Sequence, residues 1–426
     1  MPGISRRTLV RGGGALLGGG VLLSAAGCSG FGTPDWDVAV IGAGITGLSA
    51  ARNLVDHGMS AVVLEARGRI GGQVHTDHSF TSVPVELGAG LIHGSDAYTW
   101  ELVDESGADT VRVRGGSGGG SPIETDSAPL DTEDAASYLR RMDVPESDWP
   151  PVSIDNEPLD RWSATWMHRY DLFDWWSASR ENHRVVDGYD RVLEPLADGL
   201  DVRLSTPVRE VRRIRSGVEL AAGPDGEQIF RAARCIIALP LGVLQTGDVR
   251  FDPPLPTSHL DAVRSLDTTD ALKLVYEFDR PVFPEEPDAL GWEQGADFVF
   301  WRISTGDADS GSPEVVAAWA AGAGARDLLA MDEDARFDAG LAALADVLGE
   351  ELPAPVARTT HDWAADRYSR GAYLYVPPGA HDAPAALAEP VDGVLHFAGE
   401  PTTGENTVEG GYVNGYDVTD QLIAGL

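Results

Sequence analysis

A glycine-rich turn between a β-prone run and a helical pattern constrains this fold more than any other feature. The run Asp37 to Ile41 is mostly apolar, and Gly42-Ala43-Gly44-Ile45-Thr46-Gly47 follows it directly. Apolar residues then recur at helical spacing to about His57, and a second β-prone run, Ala61 to Leu64, ends next to Glu65. A strand, a glycine turn, a helix, a second strand and an acid in this register predict a β-α-β unit that binds a dinucleotide.

The glycines, the helix N-terminus and the acidic residue of this motif each have a physical role in a β-α-β unit that binds a dinucleotide. Gly42 permits the tight turn, Gly44 lets the backbone approach a pyrophosphate, and Gly47 allows the helix to pack closely on the strand. The N-terminus of the helix offers N–H groups to the anion. Glu65 is placed to accept hydrogen bonds from the adenosine ribose hydroxyls. A glycine turn without a ligand is disfavoured, because all of these elements stand in register.

The composition excludes several classes of protein. The chain has 426 residues, which suggests two or three domains at roughly 100–200 residues each. The 32 Lys and Arg residues against 67 Asp and Glu give a net charge of −35, which disfavours nucleic-acid binding and suits a cationic partner. Two cysteines, Cys28 and Cys235, are too few for a disulfide scaffold or a four-thiolate metal site, so no metal is expected.

The first 30 residues have the pattern of an export signal. Arg6 and Arg7 are adjacent and precede a short, glycine-rich apolar stretch, which is typical of twin-arginine signals and too short to span a membrane. The stretch ends in Ala25-Ala26-Gly27-Cys28, which resembles the lipobox of bacterial lipoproteins. We expect export to the cell envelope or beyond, with membrane contact only through a lipid on Cys28. Simple cleavage without acylation is the alternative.

Several segments resemble those of a known family. Glu65 to Thr76 reads EARGRIGGQVHT, and Glu86 to Gly94 reads ELGAGLIHG. Further matches lie at Pro207-Val208, Phe397 to Glu400 and Thr407 to Gly411. These motifs resemble those of the flavin monoamine oxidase family of FAD-dependent amine oxidases, and they are most similar to its polyamine and spermine oxidase branch.

The resemblance implies an α/β fold of the GR2 flavoprotein type. A Rossmann-like FAD-binding domain would be interleaved with an α+β substrate-binding domain built on a mixed sheet. The implied FAD-binding segments are residues 34–95, 185–270 and 366–426, and the implied substrate-domain segments are residues 96–184 and 271–365. Residues 1–30 would be the signal.

The resemblance also implies the cofactor and its contacts. FAD should be bound non-covalently, because Ala372 stands where members with covalent flavin have cysteine. Gln73 replaces the arginine that usually ends the double-glycine motif, so Arg67 or Arg69 would have to supply that charge. The implied cofactor-binding residues are Gly42, Gly44, Ile45, Thr46, Gly47, Glu65, Ala66, Arg67, Gly71, Gly72, Gln73, Gly88, Ala89, Gly90, Leu91, Val208, Trp363, Gly399, Glu400, Thr407 and Val408.

Lys273 is the only lysine of the chain, since every other cationic side chain of this kind is arginine. By composition alone, chance would explain it. Its segment, Leu272 to Phe278, resembles the strand whose lysine in flavin amine oxidases holds a water beside flavin N5. A compact ammonium group whose pKa falls on burial suits that role. The resemblance therefore makes Lys273 a candidate catalytic residue.

The resemblance places other side chains around the substrate. Tyr373 corresponds to one wall of the aromatic pair that flanks the amine, and Thr407 stands at the position of the other wall, with Tyr412 as the alternative. His93 corresponds to the active-site histidine of spermine and acetylpolyamine oxidases. Acidic side chains for distal ammonium groups are expected within residues 171–181.

The implied reaction is oxidation of an amine to an imine, which hydrolyses to an aldehyde while O₂ becomes H₂O₂. The expected partners are therefore a small cationic amine and O₂. An L-amino-acid oxidase or another FAD oxidoreductase of the same fold is the nearest alternative, and a non-catalytic flavin-binding lipoprotein is an alternative of another class. The sequence leaves the preferred amine and the oligomeric state open.

Overall fold

The computed structural model describes residues 34–81, 83–114, 123, 127–149, 157–170, 172–175, 181–284, 286, 288–290, 298–304 and 313–426. The predicted export signal with Cys28 lies outside the described residues. So does most of the segment 171–181, where we expected acidic side chains for distal ammonium groups. Those predictions stay predictions.

Twenty strands occur among the described residues. They are β1 (Trp36–Ile41), β2 (Ala61–Leu64), β3 (Thr76–Asp77), β4 (Val85–Glu86), β5 (Ile92–His93), β6 (Thr110–Val113), β7 (Asn182–Val185), β8 (Asp201–Arg203), β9 (Val208–Ile214), β10 (Gly217–Ala222), β11 (Gln228–Ile237), β12 (Arg250–Asp252), β13 (Asp267–Thr269), β14 (Ala271–Phe278), β15 (Ala289–Leu290), β16 (Val299–Arg302), β17 (Glu314–Ala321), β18 (Ala357–Asp362), β19 (Tyr373–Tyr375) and β20 (Leu395–Phe397).

Helices connect and cover these strands within the same described ranges. They are α1 (Ile45–Asp56), α2 (Thr99–Ser106), α3 (Ala135–Arg141), α4 (Ala164–Arg169), α5 (Leu172–Trp175), α6 (Glu194–Ala197), α7 (Leu241–Thr246), α8 (Thr257–Ser265), α9 (Gly322–Leu329), α10 (Glu333–Leu348), α11 (Ala383–Ala388), α12 (Glu400–Thr403) and α13 (Val408–Ala424). The helix predicted after the glycine turn, to about His57, is therefore present.

The larger sheet is mixed. Its order is β12-β9-β10-β11-β1-β2-β8, and β20 also pairs with β11. Strands β11, β1, β2 and β8 run parallel, whereas β9, β10 and β11 form an antiparallel meander. Helix α1 returns from β1 to the parallel strand β2, as a β-α-β unit requires. The predicted α/β fold is confirmed, and the structure does contain a mixed sheet. It is this larger sheet that is mixed, however, and not the sheet of the segment 271–365, where the mixed sheet was expected.

A second, five-stranded sheet has the order β15-β16-β17-β14-β18 and is antiparallel throughout. Its interior strand β14 contains the segment Leu272 to Phe278 and pairs with β17 and β18. Seven of its eight residues are buried, because apolar clusters cover both faces of the sheet at this strand. The larger sheet takes its strands from three separate parts of the chain, which is what interleaved domains would require. The exact domain boundaries stay a prediction.

Buried apolar side chains line both faces of the larger sheet. Val38 and Val40 of β1 face one cluster with helix α1, and Ala39 and Ile41 face the other. This alternation follows from the two-residue period of a strand. Among the described helices, none combines the length and the apolar character that crossing a membrane demands. The site thus rests on a central strand whose last four residues are buried.

Candidate active site

A cleft opens beyond the carboxyl end of β1 and runs toward the five-stranded sheet. It encloses about 1670 Å³ that no atom fills, counting its open mouth. Parallel α/β sheets bind their ligands at this end of the strands. The lining comes from the glycine turn after β1, from the start of β14 and from the segment 363–373. One cleft therefore joins the predicted dinucleotide site to the region around Lys273.

The glycine turn has no room for side chains at two of its three glycines. Gly42 has a φ of +102°, and a Cβ there would lie 2.5 Å from the carbonyl oxygen of Ala238. A Cβ on Gly47 would lie 1.9 Å from the carbonyl oxygen of Gly42. Both contacts are shorter than any real Cβ makes, so close packing of strand, turn and helix requires glycine at both positions.

Gly44 differs from its neighbours, because a Cβ there would meet no atom within 4 Å. It is the N-cap of helix α1 and provides no side-chain cap, and it lines the cleft. The bare backbone and the uncapped helix N-terminus thus face open space, which is the arrangement that binds a phosphate. The residues present fit the diphosphate of a dinucleotide cofactor.

Glu65 stands at the end of β2, where its carboxylate is buried and fixed. Its two oxygens accept hydrogen bonds of 2.8 Å from the backbone N–H groups of Ala43 and Arg67. A carboxylate oxygen can accept more than one hydrogen bond, so Glu65 keeps capacity for a ribose hydroxyl. The carboxylate also ties the glycine turn to the end of the second strand.

The structure separates the two arginines proposed to replace the charge missing at Gln73. Arg67 lines the cleft and forms an ion pair of 2.8 Å with Asp366. Arg69 donates instead to the carbonyl oxygens of Ile70, Gly72 and Val74 and lies outside the lining. Arg69 therefore stabilises the backbone of the double-glycine turn, and Arg67 is the one that reaches the cleft.

Lys273 lies on the wall of the cleft with only 6% of its surface exposed. Its Nζ donates to the carbonyl oxygen of Gly88 at 2.5 Å and lies 5.2 Å from the ring centroid of Trp301. Burial lowers the pKa of Lys273 to about 8, and the nearby carboxylate of Glu86 opposes that shift. The side chain is thus held in place and can exchange a proton near neutral pH.

Trp319 was not anticipated from the sequence. It is the cross-strand partner of Lys273 in the β14–β17 pair and lines the same cleft. Its ring is edge-on to that of Tyr373, with centroids 6.3 Å apart. The missing signal is the register of two strands far apart in the chain, which the sequence alone does not give. An aromatic corner of Trp319 and Tyr373 therefore stands beside Lys273.

Other predicted residues also come together at the cleft. Trp363 is buried, and its Nε1 donates to the carbonyl oxygen of Leu87 at 2.9 Å. Thr407 caps helix α13, since its hydroxyl accepts from the N–H of Gly410. The remaining predicted residues in the lining are Ile45, Thr46, Ala66, Gly71, Gly72, Gln73, Gly88, Ala89, Val208, Gly399, Glu400 and Val408.

Glu400 follows Gly399 in the lining and is buried against the strand that bears Tyr373. Its carboxylate accepts a hydrogen bond of 2.7 Å from the backbone N–H of Leu374. Burial raises the pKa of Glu400 to about 7, and that hydrogen bond opposes the shift. Glu400 can therefore be neutral or charged near physiological pH, which lets it donate or accept a hydrogen bond toward a ligand.

Four other predicted positions lie outside the lining. His93 is on β5, where its Nδ1 lies 2.7 Å from the Oδ1 of Asn182 on β7. Gly90 and Leu91 follow the part of the loop that does reach the cleft. Tyr412, the alternative second wall, is fully buried in the core cluster around α1. Of the two alternatives for that wall, only Thr407 faces the cleft.

Within the described ranges, no group of three or more His, Cys, Asp or Glu side chains could hold a metal ion. Cys235, on β11, is free and buried, and burial raises the pKa of its thiol. These observations leave the cleft with a dinucleotide site at one end and a buried amine with aromatic rings at the other.

This combination of fold and cleft defines an oxidoreductase that binds a dinucleotide cofactor. The family model described as flavin containing amine oxidoreductase matches residues 45–146 and 161–423. The chain therefore belongs to the family of flavin-containing amine oxidoreductases. The predicted cofactor FAD and the predicted FAD-dependent amine oxidation are confirmed, and the alternatives are not favoured.

Curated relatives include polyamine oxidases and histone demethylases. Polyamine oxidase 2 of Arabidopsis thaliana is 29% identical over 438 residues, covering 89% of this chain and 86% of the relative. Lysine-specific histone demethylase 1 homolog 3 of the same plant is 27% identical, but the chain spans only 29% of its length. Lysine-specific histone demethylase 2 of Homo sapiens is 26% identical over 91% of this chain and 53% of its own length.

Solved structures show the same fold at lower identity. Wild-type putrescine oxidase bound to putrescine has a TM-score of 0.76 at 24% identity, covering 91% of this chain and 99% of that one. Cyclohexylamine oxidase from Brevibacterium oxydans IH-35A has a TM-score of 0.75 at 22% identity, covering 92% and 99%. The fold predicted from the sequence is that of these enzymes.

The glycine turn predicts a matched pair of variants. Gly44→Ala should leave the thermal midpoint of the apoprotein unchanged, because its Cβ meets open space. The same Cβ should weaken FAD binding by about tenfold or more, since it occupies the approach of the diphosphate. Gly47→Ala should instead lower the midpoint, because its Cβ collides with Gly42. Equal FAD affinity in Gly44→Ala and wild type would contradict this assignment.

Because Lys273 is the only lysine, NMR can measure its pKa without assigning the lysine signal to a residue. Protein labelled with ¹³Cε-lysine should give one Lys273 signal that titrates near pH 8, because burial favours the neutral amine. A midpoint near the ordinary value of about 10.4 would show that the side chain is solvated. Lys273→Met is the control, since it should remove the signal altogether.

Proposed function

We propose that this protein oxidises a small polyamine or diamine at the cleft, using FAD and O₂. The observation that carries the proposal is the position of Lys273, the only lysine, on the cleft wall beside Trp319 and Tyr373. A chain that uses arginine at every other such position keeps a lysine where the cofactor site meets the aromatic corner.

The proposed cofactor supplies the redox chemistry. When bound, FAD would take a hydride from the amine carbon while the amine nitrogen loses a proton, and O₂ would then take up the two electrons and two protons to become H₂O₂. The chain holds FAD through the glycine turn, Glu65 and Arg67, without a covalent bond, because Ala372 lines the cleft with a methyl group.

Lys273 is proposed to act on protons and water near the reacting atoms. Its Nζ is fixed by the carbonyl oxygen of Gly88 and has a pKa of about 8, so both protonation states are accessible. A flexible stem with a compact polar end can orient a water for imine hydrolysis or deliver a proton during reoxidation. Arginine could not deliver the proton, because its guanidinium stays protonated, and its planar fork differs in shape from the compact ammonium group.

The aromatic corner is proposed to bind the amine. Tyr373 and Trp319 give the cleft apolar walls whose ring faces attract cationic nitrogen. Apolar walls also favour the neutral amine at the carbon that is oxidised. Thr407 lines the same cleft and is smaller than an aromatic residue, which would leave room for an extended aliphatic chain rather than a second ring.

The substrate class rests on the relatives as well as on the cleft. The similar enzymes include a polyamine oxidase and a putrescine oxidase bound to putrescine. The acidity of the chain suits an approaching polycation. His93 stays a candidate for shifting the protonation of the bound amine, and it lies outside the cleft lining. A polyamine or diamine therefore fits better than an amino acid.

A peroxide assay separates the substrates. Protein loaded with FAD should produce H₂O₂ with spermidine, spermine or putrescine at a kcat/KM at least about tenfold above that for L-amino acids, because the loop Leu91-Ile92-His93 supplies no arginine that could bind an amino-acid carboxylate. Aromatic amines serve as the intermediate comparison. Faster turnover of an L-amino acid than of every polyamine would contradict the substrate class.

A second variant tests the role of Lys273. Lys273→Met should slow flavin reoxidation or imine hydrolysis by about 10²-fold, while the rate of anaerobic flavin reduction by the amine changes little, because hydride removal needs no general base. Stopped-flow absorbance follows the two half-reactions separately. Full rates in both halves would remove Lys273 from the mechanism.

Export by the twin-arginine route also stays part of the proposal, supported by Arg6-Arg7 and the apolar stretch after them. That route carries folded proteins, which suits an enzyme whose cofactor is loaded beforehand. A lipid on Cys28 is the proposed anchor. Mass spectrometry of the mature N-terminus should therefore detect the lipid on Cys28.

A further inference from the structure

The diphosphate of FAD presents an electrostatic problem in this cleft. Four acidic side chains already line it, namely Glu65, Asp248, Glu400 and Glu405, and the whole chain carries a charge of −35. Arg370 pairs with Asp248, and burial raises the pKa of Glu400 and of Glu405, so Glu65 is the one fully uncompensated carboxylate among the four in the described part of the chain. The N-terminus of helix α1 offers only about half an elementary charge. Side-chain cations must therefore supply the rest. This inference rests on the proposed FAD site.

Four cationic side chains line the cleft, but two of them are already committed. Lys273 lies with Gly88 and Trp301 near the aromatic corner. Arg67 is neutralised by its ion pair with Asp366. Arg209 and Arg367 remain, and neither forms an ion pair within the described part of the chain. One of these two must therefore carry most of the uncompensated positive charge.

The turn that bears Arg367 is held against the adenosine end of the cleft. The carboxylate of Asp366 accepts hydrogen bonds of 2.8 Å from the backbone N–H of Tyr368 and from the guanidinium of Arg67. The hydroxyl of Ser369 accepts a second hydrogen bond, of 3.1 Å, from Arg67. Because the N–H of Arg67 is in turn bound to Glu65, the turn is linked to the predicted ribose site.

Arg367 itself is stacked but not neutralised. Its Cζ lies 5.1 Å from the ring centroid of Tyr368, and the Cζ of Arg67 lies 5.5 Å from the same ring. Stacking restricts the guanidinium without consuming its N–H donors. Arg209, by contrast, lies at the start of β9, and the aliphatic part of its side chain lies beside the turn at Gly226. Arg367 is therefore the better preorganised of the two.

We propose that Arg367 is the cofactor-binding cation that pairs with the diphosphate of FAD, with Tyr368 and Asp366 as its positioning residues. A guanidinium can bind phosphate oxygens through two N–H groups at once. The turn 366–369 is then part of the dinucleotide site, although it lies about 300 residues from the glycine turn along the chain. Arg67 acts mainly by anchoring that turn.

The test measures FAD affinity on the apoprotein rather than turnover. Quenching of flavin fluorescence gives Kd for wild type, Arg367→Gln, Arg367→Glu and Arg209→Gln. Arg367→Gln should raise Kd by about tenfold, as expected for one charge-assisted hydrogen bond from a side chain that is exposed in the absence of FAD, and Arg367→Glu should raise it further. Arg264→Gln, on the exposed face of α8, is the matched control and should match wild type.

The dependence of the FAD dissociation constant on ionic strength gives a second readout. Kd of the wild type should rise between about 0.01 and 1 M ionic strength, where the screening length falls from about 30 to about 3 Å, and Arg367→Gln should respond less. Unchanged Kd and an unchanged salt response in both Arg367 variants would overturn the inference, as would a larger loss in Arg209→Gln than in Arg367→Gln. The thermal midpoints of the apoproteins show whether each variant is folded.

The outcomes also separate this inference from the proposed function. A wild type that binds no FAD overturns both. A wild type that binds FAD and oxidises amines, with Arg367 variants of equal affinity, overturns the assignment of Arg367 alone.

Discussion

The close approach of backbone to backbone at the first β-α turn is the constraint on which the rest of the structure depends. The carbonyl oxygens of Gly42 and Ala238 occupy the space where Cβ atoms of Gly47 and Gly42 would lie. Helix α1 can therefore begin directly at the end of β1, and its N-terminus faces the cleft. Glu65 then locks this turn to β2 through the N–H of Ala43. The cofactor site is thus built into the central sheet.

The same rigid frame explains how a very acidic chain can bind anionic and cationic groups in one cleft. The cations Arg67 and Arg69 are fixed by an ion pair and by backbone carbonyls near the glycine turns. Lys273 is held at the other end, where burial rather than a neighbouring cation lowers its pKa. The cations are therefore distributed along the cleft, and the loop Leu87 to Ala89, which lines it, holds Lys273 through the carbonyl oxygen of Gly88.

Local features of the chain could be predicted from the sequence, because local contacts determine them. The glycine turn, helix α1 and Glu65 lie within thirty residues, and strand β14 is signalled by its own apolar run. Trp319 and the turn 366–369 could not be predicted, because they reach the cleft only through the pairing of β14 with β17 and through the ion pair of Arg67 with Asp366. His93 was placed by a neighbouring motif, but strand pairing with Asn182 holds it outside the lining.

The central claim is that this cleft holds FAD without a covalent bond. The most direct measurement is the flavin content of purified protein before and after denaturation. The account predicts about one FAD per chain, all of it released into the supernatant when the protein is precipitated, because Ala372 offers no group for a covalent link. A colourless protein that cannot be loaded with FAD, or flavin that stays with the precipitate, would contradict the account.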